Sequence, residues 1–156
     1  MHHFNNGKFF IQCSYRKNPH NIGNLIKLNN FVANDNYIVG SIPPSFKKCS
    51  DLEVLDISNN LLEGSIPPEL GRLLSLQYVR LFNNALTGTI PSTLSSCRKL
   101  LEIVVYENNM TGSIPDEFGE LSLLQVLSLD KNNLSKSIPH SLSRCTFLVW
   151  LELSNN

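Results

Sequence analysis

Residues 76–91 read LQYVRLFNNALTGTIP, and the chain repeats this stretch at a constant interval on both sides. Upstream it is LEVLDISNNLLEGSIP at 52–67; downstream it is LLEIVVYENNMTGSIP at 100–115 and LQVLSLDKNNLSKSIP at 124–139. A looser copy, LNNFVANDNYIVGSIP, occupies 28–43, and a shortened one, LVWLELSNN, occupies 148–156. The opening leucines at 28, 52, 76, 100, 124 and 148 are equally spaced, without an insertion or deletion, which makes this a repeat protein. Each coil of such a stack touches its neighbours only, so the chain builds no central core despite its 156 residues.

The register sets the organisation. Residues 1–18 match the repeat poorly, although Phe9, Phe10 and Ile11 suit a strand, with Gln12 where the repeat carries asparagine. PHNIGNLIKL at 19–28 parallels PPELGRLLSL at 67–76, so 19–27 reads as the back half of a decayed coil. Full coils begin at Leu28, Leu52, Leu76, Leu100 and Leu124, and a truncated one at Leu148. The repeat domain therefore spans 19–156.

Within a coil the pattern has a physical reading. In Leu52-x-x-Leu55-x-Ile57 the alternation sends Leu55 and Ile57 inward and Val54, Asp56 and Ser58 outward, the period of a strand. Stacked coils then join these strands into one parallel sheet. The chain must turn next, and asparagine recurs there at 36, 60, 84, 108, 132 and 156. Its amide both donates and accepts, so Asn36, Asn60, Asn84, Asn108, Asn132 and Asn156 predict a structural ladder satisfying the backbone of each turn. In Leu86-x-Gly88-x-Ile90-Pro91 the glycine permits positive φ and the proline ends regular pairing. The remaining x-x-Leu-x-x-Leu suits a short 3₁₀ turn on the back.

Cys49, Cys97 and Cys145 fill one repeat position in alternate coils, and Leu25, Leu73 and Leu121 fill it in the others. A slot that accepts either residue is an apolar interior slot. Coils stack at about the ~4.8 Å strand spacing, which puts these cysteines roughly 10 Å apart. A disulfide needs Cα atoms within about 7 Å, so buried thiols and no disulfide are expected. Cys13 falls outside the column.

Thirteen basic and thirteen acidic residues cancel, and no basic run offers a surface for nucleic acid or anionic lipid. No apolar run approaches the ~20 residues of a bilayer span. The opening MHHFNNGKFFIQ lacks the layout of a secretory signal. Phosphate-binding and kinase motifs are absent from the sequence. His20 and His140 lie in distant coils, and His2 and His3 at one end, so no metal-ligand spacing exists. The expectation is a chain with no catalytic set, no metal and no cofactor.

The consensus LxxLxLxxNxLxGxIPxxLxxLxx resembles the plant-specific class of leucine-rich repeat over about residues 19–156. That class occurs in the ectodomains of leucine-rich-repeat receptor-like kinases and receptor-like proteins, and in polygalacturonase-inhibiting proteins. The resemblance implies an α/β repeat solenoid, a horseshoe with a parallel concave sheet and a largely irregular or 3₁₀ convex side. Two departures stand out: Lys136 replaces the glycine found at 40, 64, 88 and 112, and Ala33 fills an inward slot of the first coil. Neither a cysteine-pair cap nor a C-terminal cap is present, which predicts a piece of a longer receptor or a truncated copy.

Outward positions of the sheet supply the candidate ligand-binding site. They are Asn30, Val32 and Asn34; Val54, Asp56 and Ser58; Tyr78, Arg80 and Phe82; Glu102, Val104 and Tyr106; Val126, Ser128 and Asp130; and Trp150, Glu152 and Ser154. Tyr78, Arg80, Phe82, Glu102 and Tyr106 gather on two adjacent coils, and exposed aromatics beside arginine are the composition of an interface hot spot. Cross-strand pairing that only stabilises the sheet is the plainer explanation. Asn109-Met110-Thr111 and Asn133-Leu134-Ser135 are sequons for N-glycosylation.

By resemblance, the expected function is recognition of a protein or peptide ligand by the extracellular domain of a plant receptor-like serine/threonine kinase. A co-receptor would share the signal, and the kinase and membrane anchor would lie in parts this chain lacks. The expected location is the extracellular side of the plasma membrane, with no membrane contact by this segment. The alternatives are a secreted inhibitor of a pathogen glycosidase and a truncated copy without function.

Overall fold

Each Leu-x-x-Leu-x-Leu run becomes a short strand whose middle residue points into the core. The computed structural model describes residues 22–156 in full, and 2–5 and 8–11 as strand backbone. In chain order the strands are β1 (His2–Asn5), β2 (Lys8–Ile11), β3 (Asn30–Val32), β4 (Val39–Gly40), β5 (Val54–Asp56), β6 (Leu61–Gly64) and β7 (Tyr78–Arg80). They continue as β8 (Ala85–Thr89), β9 (Glu102–Val104), β10 (Asn109–Gly112), β11 (Val126–Ser128), β12 (Asn133–Leu134) and β13 (Trp150–Glu152). The first sheet runs β1-β2-β3-β5-β7-β9-β11-β13 and is parallel except for the antiparallel β1–β2 pair. Its register from β3 onward is one repeat: Val54 lies opposite Tyr78, Tyr78 opposite Glu102, and Glu102 opposite Val126. Columns of the sequence are therefore rows of the sheet. The Phe9–Ile11 expectation falls within β2, whereas Gln12, Cys13 and His20 lie outside the described residues.

A second sheet, ordered β12-β10-β8-β6-β4, forms where the reading from sequence placed only a turn. It is parallel throughout and uses the Leu-x-Gly stretch, with Met110 opposite Gly88 and Gly64 opposite Leu86. A few apolar side chains around a glycine give little periodicity to read. The strands exist because stacking supplies partners that a single coil lacks.

Behind this sheet, 3₁₀ turns cover Pro44–Lys48, Pro68–Arg72, Ser92–Ser96, Asp116–Glu120 and His140–Arg144, after a shorter one at Ile22–Asn24. Each of the longer five begins directly after the repeat proline, whose φ near −65° leads the chain into the turn. The core is one apolar column running through the stack. In the coil from Leu52 it comprises Leu52, Leu55, Ile57, Leu62, Ile66, Leu70 and Leu73, all essentially inaccessible. Full burial of one such side chain contributes ~1.5–3 kcal/mol. Ala33 fills its inward slot and is equally buried.

The asparagine column holds the turns. Asn108 Nδ2 donates to the carbonyls of Val105 and Tyr106 in its own coil and of Leu81 in the preceding one, each at 3.1–3.2 Å. Its Oδ1 accepts the Leu86 amide at 3.0 Å. Asn60, Asn84, Asn132 and Asn156 repeat the set, and Asn36 donates to Ala33 and Asn34. The residue before each asparagine is left-handed: Asp35, Asn59, Asn83, Glu107, Lys131 and Asn155 have φ between 50° and 56°.

One expectation about orientation needs correction. Ser58 is not presented outward but is 1% exposed, its hydroxyl donating to Asp56 Oδ1 at 2.7 Å. Ser128 is likewise buried and donates to Asp130 at 2.8 Å. A hydroxymethyl group is too short to rise past the neighbouring carboxylate, so it is covered by the group it serves.

Candidate ligand-binding face

Columns become rows, so residues one repeat apart in sequence stand side by side on the concave face. Two such rows carry the aromatic residues. In the first, Tyr78 of β7 is followed by Glu102 of β9. In the second, just past the strand ends, Phe82 is followed by Tyr106. Their rings stack with centroids 4.6 Å apart and planes 9° from parallel. That separation matches the spacing of adjacent strands, ~4.8 Å, so the coil repeat itself sets the stacking distance.

Arg80 is held by the first row and by Asp56. Its guanidinium carbon lies 5.1 Å from the centre of the Tyr78 ring. Nη2 and Nε donate to Glu102 Oε2 at 2.7 and 3.0 Å, and Nη1 stands 3.9 Å from Asp56 Oδ2. The three charged side chains are partly shielded from solvent, which strengthens the pairing over that of a fully exposed surface pair. All five residues singled out from the sequence therefore lie in one neighbourhood. Arg80 and Glu102 form an internal pair, and the stacked rings are partly buried.

Two residues bear on this site that the sequence reading did not include in it. Asp56 completes the environment of Arg80, and Asp130 is the next member of the row after Phe82 and Tyr106. The signal for both was present, because each occupies a column already identified as facing out. Burial pushes the Tyr106 phenol above its ordinary value, and the negative charges of Glu107 and Asp130 push it further, partly offset by Lys131. Lys131 Nζ is held by Glu107 Oε1, a hydrogen bond that raises the ammonium pKa.

Other sequence candidates lie apart. Asn109 and Asn133 are exposed, and the sequon hydroxyls of Thr111 and Ser135 donate to the carbonyls of Gly88 and Gly112. Trp150 is 58% exposed on β13, next to the more exposed Val149. Among the described residues no group of three or more His, Cys, Asp or Glu could hold a metal ion. No helix there is long and apolar enough to cross a membrane. A groove of about 690 Å³ on the flank, lined by Ser65, Thr89, Ser113 and the repeat Ile-Pro pairs, lies outside the aromatic rows.

Comparison with known proteins gives a consistent picture. Family models described as leucine rich repeat match residues 51–73 and 75–134, together more than half of the chain. No curated protein sequence matches. The ectodomain of the plant membrane receptor kinase GASSHO1/SCHENGEN3 from Arabidopsis thaliana, solved with CASPARIAN STRIP INTEGRITY FACTOR 2, superposes with a TM-score of 0.88 at 36% identity. The match covers 90% of this chain and 17% of that one. The Arabidopsis receptor kinase HAESA, solved with the peptide hormone IDA and the co-receptor SERK1, gives 0.86 at 33% identity over 90% of this chain and 24% of that one. A plant ice-binding protein gives 0.78 at 29% identity, covering 82% and 42%. This chain thus spans a quarter or less of the length of the two receptors.

Proposed function

The chain belongs to the leucine-rich-repeat family, in its plant-specific class, and from that premise we propose that it recognises a peptide as part of the extracellular domain of a plant receptor-like kinase. The ligand lies along the concave sheet, against the stacked rings of Phe82 and Tyr106 and the Tyr78–Arg80–Glu102 group. Signalling passes through a co-receptor and through a kinase outside this segment. Glycans at the exposed Asn109 and Asn133 fit an extracellular location.

The observation that carries this reading is the stack itself. Two partly buried aromatic rings on a concave sheet, fixed by the repeat, present rigid apolar area at little conformational cost. The likeness to an ice-binding protein shows that the fold alone does not choose recognition as its role. The receptor ectodomains solved with peptide hormones support that choice, together with an aromatic patch of hot-spot composition.

The test is to pan a random dodecapeptide library on the immobilised full chain and to measure enriched peptides against variants. Tyr78→Ala, Phe82→Ala and Tyr106→Ala combined should weaken binding at least ~30-fold, since a single hot-spot residue is worth ~2 kcal/mol or more. Tyr37→Ala, an exposed position outside these rows, should leave it unchanged. Retention of full affinity by the triple variant, with an unchanged far-UV circular dichroism spectrum, removes the concave patch as the site.

A further inference from the structure

The protein contains a worked example of how this face holds a cation. Tyr78 and Glu102 occupy the same row one coil apart. Between them sits the Arg80 guanidinium, over the Tyr78 ring at 5.1 Å and bonded to the Glu102 carboxylate at 2.7 and 3.0 Å. A tyrosine followed one repeat later by a carboxylate is therefore a two-part cation seat, with ring face and counter-ion on adjacent coils.

The row of Phe82 carries the same two residue types at the same spacing. Tyr106 is followed by Asp130, again one repeat on. One face of the Tyr106 ring is covered by Phe82, stacked 9° from parallel at 4.6 Å. Because the stacking direction is the direction of the row, the other face turns toward the coil that carries Asp130. Asp130 accepts a hydrogen bond from the Ser128 hydroxyl, which leaves its carboxylate able to accept more. Among the described residues, Arg80 is the cation found over an aromatic ring, and it is over Tyr78. Lys131, the nearest base in sequence, is bonded to Glu107, and its charge acts on Asp130 and the Tyr106 phenol from a distance.

The charge around this seat favours a cation from outside. The concave rows and the left-handed column beside them hold six acids: Asp35, Asp56, Glu102, Glu107, Asp130 and Glu152. They hold two bases, Arg80 and Lys131, and both are paired within the chain. A chain of zero formal net charge thus concentrates negative charge on the face where its aromatic rings are. We propose that Tyr106 and Asp130 form a seat for an arginine or lysine side chain of the ligand, and that the ligand is a basic peptide. The inference rests on the reading of this face as peptide-binding and adds the chemistry of the peptide. Cation–π contact and a paired carboxylate act together, as they do on Arg80.

The experiment uses the peptides enriched from the random library on the full chain. The expected result is an arginine or lysine shared among them whose replacement weakens binding to the wild type about tenfold, citrulline serving for arginine and norleucine for lysine. That is the combined size of one cation–π contact and one surface ion pair. The same replacement should weaken binding to Asp130→Asn by only about two- to fivefold, the cation–π share, because that variant keeps an acceptor for Ser128 but removes the charge. Peptides that need Phe82 yet share no cationic residue overturn the cation seat and leave peptide recognition standing. Equal loss on the wild type and on Asp130→Asn also overturns the seat. Failure to enrich any peptide that depends on Phe82 overturns both readings.

Discussion

Gly71 lies so close to Thr93 that a β-carbon on it would stand 2.3 Å from the Thr93 carbonyl oxygen. Gly23 and Gly119 meet Ser45 and Ser141 in the same way, at 2.5 and 2.4 Å. These glycines recur in every second coil, the coils that carry Leu25, Leu73 and Leu121 rather than cysteine. In the following coil the cysteine thiol donates to the carbonyl just before the glycine: Cys49 to Ile22, Cys97 to Leu70 and Cys145 to Phe118. Cysteine is shorter than leucine and glycine lacks a side chain, so together they draw two 3₁₀ turns into contact. The true structural period of the convex side is two coils.

Gly71→Ala should therefore destabilise the protein by ~1–3 kcal/mol, because the clash is with backbone that cannot rotate away. Ser143→Ala, at the same repeat position in a cysteine-bearing coil, should be close to neutral, since Ser143 is exposed. Urea unfolding midpoints of the two variants measure the difference, and equal midpoints would contradict the close approach.

Lys136 stands in the glycine column at φ +71°, beside Gly112 at +80° and Gly88 at +77°. A side chain in this left-handed region costs ~1–2 kcal/mol relative to its preferred conformations. The strand of this coil, β12, lies at one edge of its sheet and has two residues, as glycine-bearing β4 does at the other edge, so the cost falls on the backbone of residue 136 itself. Lys136→Gly should raise stability by ~0.5–1 kcal/mol after the entropy of glycine is counted, and shift the thermal midpoint upward by a few degrees. The reciprocal Gly88→Ala should lower it. A β-carbon there meets nothing nearer than Ser65 Cβ at 3.5 Å, which isolates the backbone contribution. A lower midpoint for Lys136→Gly would refute the argument.

Burial pushes the Cys97 thiol up to about 11 from its ordinary 9.0, an effect opposed by a backbone hydrogen bond involving Leu73. The raised folded-state value fixes the sign. Stability from this group is fully present below pH 9 and is lost as the pH rises through 11, because the unfolded chain releases its proton first. The difference amounts to on the order of 2 kcal/mol. Between pH 9 and about pH 11, the window set by the two thiol values, the unfolding free energy should fall more for the wild type than for Cys97→Ala. An equal fall in both would show that the thiol does not contribute.

Much of this protein was legible in one dimension. The repeat period, the inward leucines and the asparagine at each turn follow from local rules, because in a stack every coil repeats the environment of the one before. The clustering of the aromatic residues was legible for the same reason, since fixed register turns a column of sequence into a row of surface. Tyr78, Arg80, Phe82, Glu102 and Tyr106 could thus be placed together without coordinates.

What the sequence could not decide depended on distances between coils. The burial of Ser58, the strands around Gly64, Gly88 and Gly112, and the pairing of 3₁₀ turns all arise when a second coil arrives. So does the capture of Arg80 between Tyr78 and Glu102, which leaves Tyr106 and Asp130 as the pair still facing outward. Periodicity determines which residues share a row. Only packing determines which members of that row satisfy one another and which remain for a partner.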